Sequence, residues 1–322
     1  MTDGAPPGPT VDLRTTVGSV ALPNPVMTAS GTAGHGAELA AFFDLASLGA
    51  VVVKSLSAEA WPGNPALRVH ETVAGMINSV GLQGPGVEAW LEHDLPALAR
   101  TGARVVVSIW GRSVAEYEAA ARLLADAPEC VVAVEVNLSC PNTEAARDLF
   151  AHHPSSTHDA MAATAACGRP RWAKLSPNVA DLAPIAAAAR DAGAEAVTLV
   201  NTVLGMAIDP ETGRYRLGSG PRGGGLSGPA IHPVAVRAVH DVHAALPDLP
   251  IVGVGGVATG EDAAELILAG ATAVQVGTAT FADPRAPALV LDGLARWAAR
   301  TGRHRIADAV GAVHRPTPLE QP

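Results

Sequence analysis

Aromatic residues are scarce in this 322-residue chain: four Phe, two Tyr and five Trp make up only 3% of it. A sizeable core is still within reach at this length, but Ala, Val, Leu and Ile have to build it. Cysteine is as thin. Cys130, Cys140 and Cys167 show no CxxC spacing, which argues against both a disulfide framework and a thiolate metal site. Charged residues are 16%, the net charge is −9, and no Lys/Arg-rich run occurs. A nucleic-acid partner needs a basic face to neutralise phosphates, so that class is excluded. No apolar run approaches the ~18–20 uncharged residues of a membrane span. The opening MTDGAPPGPTVDL has no basic segment followed by an apolar one, so no secretory signal is expected. These absences point to a reducing cytoplasmic compartment.

What the chain has is repetition of one pattern. Apolar runs of strand length recur at 25–29, 51–54, 104–109, 131–137, 171–175, 196–201, 250–254 and 273–277. Most are followed by Ala/Leu-rich segments with helical spacing, at 37–48, 114–124, 182–191, 233–246, 262–268 and 286–299. Ser113 with Glu116 has capping-box spacing, and Thr259 suits another helix start. Strands apolar on both faces that alternate with helices predict a parallel sheet. Eight such units predict a closed (β/α)8 TIM barrel in a single domain over 1–322, with an open doubly wound sheet as the alternative. The connections after the second, fourth and sixth strands are long, at 55–86, 138–157 and 202–228, and in a barrel they share the C-terminal rim. The Pro-rich tails, 1–10 and 313–322, are expected to be loosely ordered.

Polar residues gather where the strands finish. Ala29-Ser30-Gly31 ends the first, Lys54-Ser55 the second, and Asn137-Leu-Ser-Cys140 the fourth. Lys174 ends the fifth and Asn201-Thr202 the sixth, while Gly255-Gly256 and Gly277-Thr278 end the last two. Glycine lets backbone N–H groups approach an anion, and in such barrels phosphate commonly binds after the seventh and eighth strands. The cluster GGLSG at 224–228, ahead of a helix expected near Pro229, joins them as a candidate. Structural turns are the plainer reading of each cluster alone; their joint position favours a phosphate-bearing ligand. Lys54 and Lys174 end apolar strands, where a charge needs a partner. They either snorkel or pair with carboxylates, or they hold an anion and stabilise developing negative charge. Cys140, alone, reads as an apolar filler, an incidental thiol or a weak metal ligand. Asn137 and Asn142 beside it, with Asn78 and Asn201, suit a flat heterocycle with carbonyl and N–H edges. A thiol over such a ring can take a proton from carbon. His152, His153 and His158 have no regular spacing and read as solvated loop residues, not as a metal site.

NLSCPN at 137–142 resembles the active-site motif of family 1 dihydroorotate dehydrogenases, flavin enzymes of pyrimidine synthesis. So do ASGT at 29–32, Lys54-Ser55, GMINSVGLQ at 75–83, KLSPNV at 174–179, VNT at 200–202, GGLSGPA at 224–230 and the glycines at 253–256 and 277. The likeness runs in order over roughly residues 20–285. It implies an FMN-binding (β/α)8 barrel that oxidises dihydroorotate to orotate, with flavin N5 as hydride acceptor. Cys140 would be the general base, with Lys54 also catalytic. Lys54, Asn78, Asn137, Asn142, Asn201 and Thr202 would bind the pyrimidine, helped by the backbone of Gly81 and Leu82. Ala29, Ser30, Ser55, Lys174 and Val200 would hold the isoalloxazine, with Lys54 and Asn137 serving both ligands. Gly228, Gly255, Gly256, Gly277 and Thr278 would hold the ribityl phosphate.

Within the family, 75–86 and 174–179 look most like the 1B branch. That implies a homodimer, or a heterotetramer with a subunit carrying FAD and a [2Fe–2S] cluster that passes electrons to NAD+. This chain lacks the cysteines for such a cluster, so the cluster would be the partner's. Two departures stand out. Residues 143–158 are polar, His-rich and free of glycine, where the family usually has a glycine-containing loop; Trp110, where a smaller residue is usual, would crowd the flavin or the partner interface. Rival readings are an FMN barrel acting on another pyrimidine or an enone, and a non-catalytic flavin-binding scaffold.

Overall fold

The computed structural model describes residues 11–139 and 149–315. Cys140, Asn142, the tail 1–10 and residues 316–322 lie outside the described residues. Eight short strands make one parallel sheet: β1 (Val26–Thr28), β2 (Val51–Val52), β3 (Val105–Ile109), β4 (Val131–Asn137), β5 (Arg171–Lys174), β6 (Ala196–Leu199), β7 (Ile251–Val254) and β8 (Ala273–Val276). Each falls inside a run expected from the sequence. They pair in the order β2-β3-β4-β5-β6-β7-β8-β1. The remaining seam, between β1 and β2, is closed by a parallel bridge from Met27 to Ala50. The Thr28 hydroxyl reinforces it, accepting from Val52 N at 2.8 Å and donating to Val52 O at 3.2 Å. The sheet is therefore a (β/α)8 barrel, and the open doubly wound alternative is set aside.

Helices Val114–Arg122, Ala183–Asp191, His232–Ala245, Gly260–Ala269 and Ala286–Arg300 cover the barrel where helical spacing predicted them. Both expected caps are made. Ser113 Oγ accepts from Glu116 N at 3.3 Å, and Thr259 and Asp262 cap each other reciprocally. At the N-terminal end an antiparallel hairpin, Thr15–Val17 with Val20–Leu22, plugs the barrel. Its Val17, Val20 and Leu22 pack with Met27, Val52, Val106, Trp172 and Val252 in one buried cluster, which leaves the C-terminal end as the open one.

Four expectations need correction. Residues 37–48 form two 3-10 turns, Glu38–Ala41 and Leu45–Ser47, because the Asp44 side chain accepts from Ala46 N at 3.0 Å and restarts the chain there. The segment 138–157 is not all loop: helix Pro154–Ala163 begins inside it and carries His158. Residues 313–315 are held rather than loose, in the turn Ala312–His314, with His314 Nε2 3.0 Å from the Ala269 carbonyl. Finally, Gly224–Ser227 is a strand, not an anion-binding turn. It joins Val203–Gly205, Gly75–Asn78 and Val69–Thr72 in a four-stranded antiparallel sheet built from the long connections after β2 and β6. Bare backbone is needed there. A Cβ on Gly225 would stand 2.0 Å from Thr202 Oγ1, and one on Gly224 2.4 Å from the Asn78 carbonyl.

Candidate active site

The C-terminal ends of the barrel strands and the second sheet enclose a cavity of about 330 Å³, within the range of small-molecule sites. Every site residue expected from the sequence that lies among the described residues lines it. Cys140 and Asn142 lie outside them. Ser139, which precedes Cys140, is on the cavity wall.

The cavity has three chemically distinct parts. Its floor is Lys174 at the end of β5, only 3% exposed. Lys174 Nζ donates to Ser30 Oγ at 3.2 Å and Gln275 Oε1 at 3.1 Å, and it stands 3.5 Å from Glu135 Oε1. Pairing with a carboxylate and facing a ligand were rival readings of this lysine; it does the first while lining the cavity. Ala29 and Ser30 continue β1 beside it, with Ala29 N bonded to the Val276 carbonyl at 2.9 Å.

One end is glycine. Gly228, Gly255 and Gly256 have φ of +92°, +139° and +70°, the region that favours glycine. A Cβ on Gly228 would lie 2.7 Å from Gly75 Cα, and one on Gly256 2.6 Å from His232 Cβ. Among the described residues the amides of Gly228, Gly255, Gly256 and Thr278 donate no hydrogen bond, so four N–H groups border the cavity unspent. Thr278 Oγ1 meets Ser227 Oγ at 2.8 Å and completes this end. Four free amides in one place are a donor set that suits a phosphate.

The third part is a wall of amides. Asn137 Nδ2 donates to Ser55 Oγ at 3.2 Å, Asn201 Nδ2 donates to Asn137 Oδ1 at 3.3 Å, and Asn78 Nδ2 donates to the Gly225 carbonyl at 3.2 Å. Lys54, half-buried, donates to the Gln83 carbonyl. Burial first, and the Arg68 charge second, hold its pKa below the usual lysine value of 10.5. Gly81 and Leu82 turn the chain beside it at φ +74° and +61°; among the described residues Leu82 is the one non-glycine residue with a positive φ.

Some expectations meet nothing here. Trp110 is not on the cavity wall: it is buried against Trp61, ring centroids 6.0 Å apart at 74°, with Arg112 4.4 Å above the Trp61 ring. Among the described residues no group of three or more His, Cys, Asp or Glu is arranged to hold a metal. No helix among them is long and apolar enough to cross a membrane. Sequence reasoning missed the apolar lining: Val69, Ile231 and Phe281 carry no motif, and Met76 lies in the quoted stretch 75–83 without having been singled out. It also missed the buried partners behind the wall, Thr198 and Gln275. The one signal for that layer was Glu135, a lone carboxylate in an apolar strand.

A family model described as dihydroorotate dehydrogenase matches residues 12–297. A relative from Desulforudis audaxviator, named dihydroorotate dehydrogenase B (NAD(+)), catalytic subunit, is 48% identical over 93% of this chain and 96% of its own. One of the same name from Alkaliphilus metalliredigens is 46% identical over 88% and 93%. A protein from Solibacter usitatus, under the provisional name dihydroorotate dehydrogenase A (fumarate), is 46% identical over 94% and 99%. A match of this extent, on a barrel whose open end carries this cavity, decides the family. The chain belongs to the dihydroorotate dehydrogenases.

Proposed function

We propose that this chain binds FMN and oxidises dihydroorotate to orotate in the cavity at the open end of the barrel. One observation carries the reading: a buried ammonium, a set of unspent glycine amides and a wall of asparagines converge on a single space. The glycine end fits the phosphate of FMN, and the Lys174 floor fits a ring that gains negative charge on reduction. FMN, when bound, supplies the hydride acceptor.

The protein's own groups do the rest. Gly228, Gly255, Gly256, Gly277 and Thr278 hold the phosphate, while Ala29, Ser30, Ser55, Val200 and Lys174 hold the ring. Asn78, Asn137, Asn142, Asn201 and Thr202 bind the pyrimidine's carbonyl and N–H edges, with the backbone of Gly81 and Leu82. Lys54, on the cavity wall, would serve both ligands and offer the substrate carboxylate a cation. Cys140 takes the proton from carbon 5 as hydride leaves carbon 6. A free thiol, pKa ~8.5, is mostly protonated at pH 7, so the site has to favour thiolate during the reaction. General-base help of this kind contributes about 10²–10⁴-fold.

The names of the two B-type relatives, catalytic subunits that use NAD+, support a second subunit and NAD+ as final acceptor; the resemblance adds a homodimer, or a heterotetramer whose second subunit carries FAD and a [2Fe–2S] cluster. Three cysteines without a pairing pattern support a cytoplasmic location. Purified protein reconstituted with FMN should be yellow, and dihydroorotate should bleach it anaerobically. Yellow protein inert to dihydroorotate would move the substrate assignment to another pyrimidine or an enone, and protein that takes up no FMN would contradict the cofactor.

A further inference from the structure

Behind the cavity floor lies a buried polar cluster that the reading above leaves without a role. Glu135 sits in the middle of β4, wholly buried, in a strand otherwise apolar until Asn137. Its Oε2 accepts from Gln275 Nε2 on β8 at 2.6 Å and from Thr198 Oγ1 on β6 at 3.1 Å. Its Oε1 has no hydrogen bond and faces Lys174 Nζ at 3.5 Å. Gln275 closes the triangle, since its Oε1 accepts from the same ammonium at 3.1 Å. Thr198 and Gln275 are wholly buried too, and both side chains of the ion pair are buried. Four strands thus contribute one side chain each to a closed network inside the barrel. The other cation of the site, Lys54, is engaged elsewhere, with Gln83.

A buried pair of this kind adds little net stability compared with an apolar replacement, and removing one partner alone leaves an uncompensated charge. What it does do is fix both the position and the net charge of the floor. We propose that Glu135 is a positioning and charge-balancing residue: it holds Lys174 against the cavity and offsets its charge, setting the reduction potential of the bound flavin. The inference rests on the FMN reading above. Without Glu135 the ammonium would stabilise the reduced, more negative ring more strongly; without Lys174 the bare carboxylate would oppose reduction. Gln275 ties the two to each other, and Thr198 fixes the carboxylate's second oxygen.

The test is the midpoint potential of FMN bound to four proteins at pH 6: wild type, Glu135→Gln, Lys174→Met and the double variant. Glu135→Gln should raise the potential and Lys174→Met lower it, each by the equivalent of at least tenfold in the relative affinity for reduced and oxidised flavin, about 30 mV for a two-electron couple. The double variant, with no net charge in the floor, should return towards wild type. A purely structural role moves stability without this ordering of potentials. An unchanged or lowered potential in Glu135→Gln overturns the proposal. If that variant does not fold, the comparison of Lys174→Met with the double variant decides: the second substitution must raise the potential, and a null or downward shift overturns the inference. Wild-type protein that binds no FMN would overturn the cofactor reading, and this inference with it.

Discussion

The side chains of Asn137 and Asn201, carried at the ends of β4 and β6, touch across the cavity wall, with Asn201 Nδ2 3.3 Å from Asn137 Oδ1. That contact fixes which way each amide faces. Asn137 Oδ1 also accepts from Ser139 N at 3.2 Å, its Nδ2 donates to Ser55 Oγ, and Ser55 Oγ meets the buried Ser108 Oγ at 2.8 Å. Asn137→Ala strips a partner from Ser55, Ser139 and Asn201 together, and each buried group left unpaired costs about 1–3 kcal/mol. The variant should retain FMN but lose about 10²-fold in kcat/KM for dihydroorotate, about 2.7 kcal/mol of transition-state stabilisation. Steady-state kinetics with a dye acceptor measure it.

Lys54 makes orotate binding pH-dependent at the alkaline end. Its pKa lies below 10.5, chiefly because burial disfavours the charged form and secondly because of Arg68. The affinity for the orotate carboxylate should therefore start to fall below pH 10.5, as Lys54 loses its proton. Lys54→Met should bind orotate at least tenfold more weakly at pH 7, about 1.4 kcal/mol, and lose the alkaline decline. Titration of the flavin spectrum with orotate from pH 7 to pH 10 reads both effects.

Two glycine substitutions should separate the two halves of the cavity. Gly225→Ala drives a methyl to 2.0 Å from Thr202 Oγ1, so Thr202 must move. The expected result is normal FMN content with a KM for dihydroorotate raised on the order of tenfold. Gly228→Ala puts a Cβ 2.7 Å from Gly75 Cα at φ +92°, a conformation an L side chain rarely adopts. It should be purified largely without FMN. Flavin content by absorbance distinguishes the pair.

Stability should fall on the acid side through His243, far from the cavity. Its ring lies 4.9 Å from that of His314, which stacks on His240 at 4.3 Å. Burial first, and the His314 and His240 charges next, lower its pKa below 6.5. The unfolded chain then takes up a proton as pH drops through 6.5 that the folded chain refuses, so stability falls below that pH and is unaffected above it. His35, lowered by burial and then by Lys54, acts in the same direction. Urea midpoints at pH 7.5 and pH 5.5 should differ less in His243→Gln than in wild type.

The barrel strands were legible because parallel strands covered on both faces must be continuous apolar runs, and β4 matched to the residue. The polar strand ends were legible because a barrel sends all its C-terminal ends to one rim, so Lys54, Asn137, Lys174 and Asn201 had to meet. The second sheet was not. Gly224–Ser227 contains two glycines and Val69–Thr72 three polar residues, and only pairing across sequence separations such as Gly225 with Asn78 makes them strands. The turns at 37–48 were misread because Ala and Leu suit a helix, while the Asp44 cap interrupts it. Glu135 is a lone carboxylate in an apolar strand, but its partners come from β5, β6 and β8, and no local pattern names them.

The central claim is that Cys140 acts on a pyrimidine held in this cavity, and flavin reduction in Cys140→Ser tests it most directly. The variant should bind FMN with a wild-type spectrum, while its anaerobic bleaching by dihydroorotate at pH 7, followed by stopped flow, slows by at least about 10²-fold. Bleaching at the wild-type rate would contradict the account.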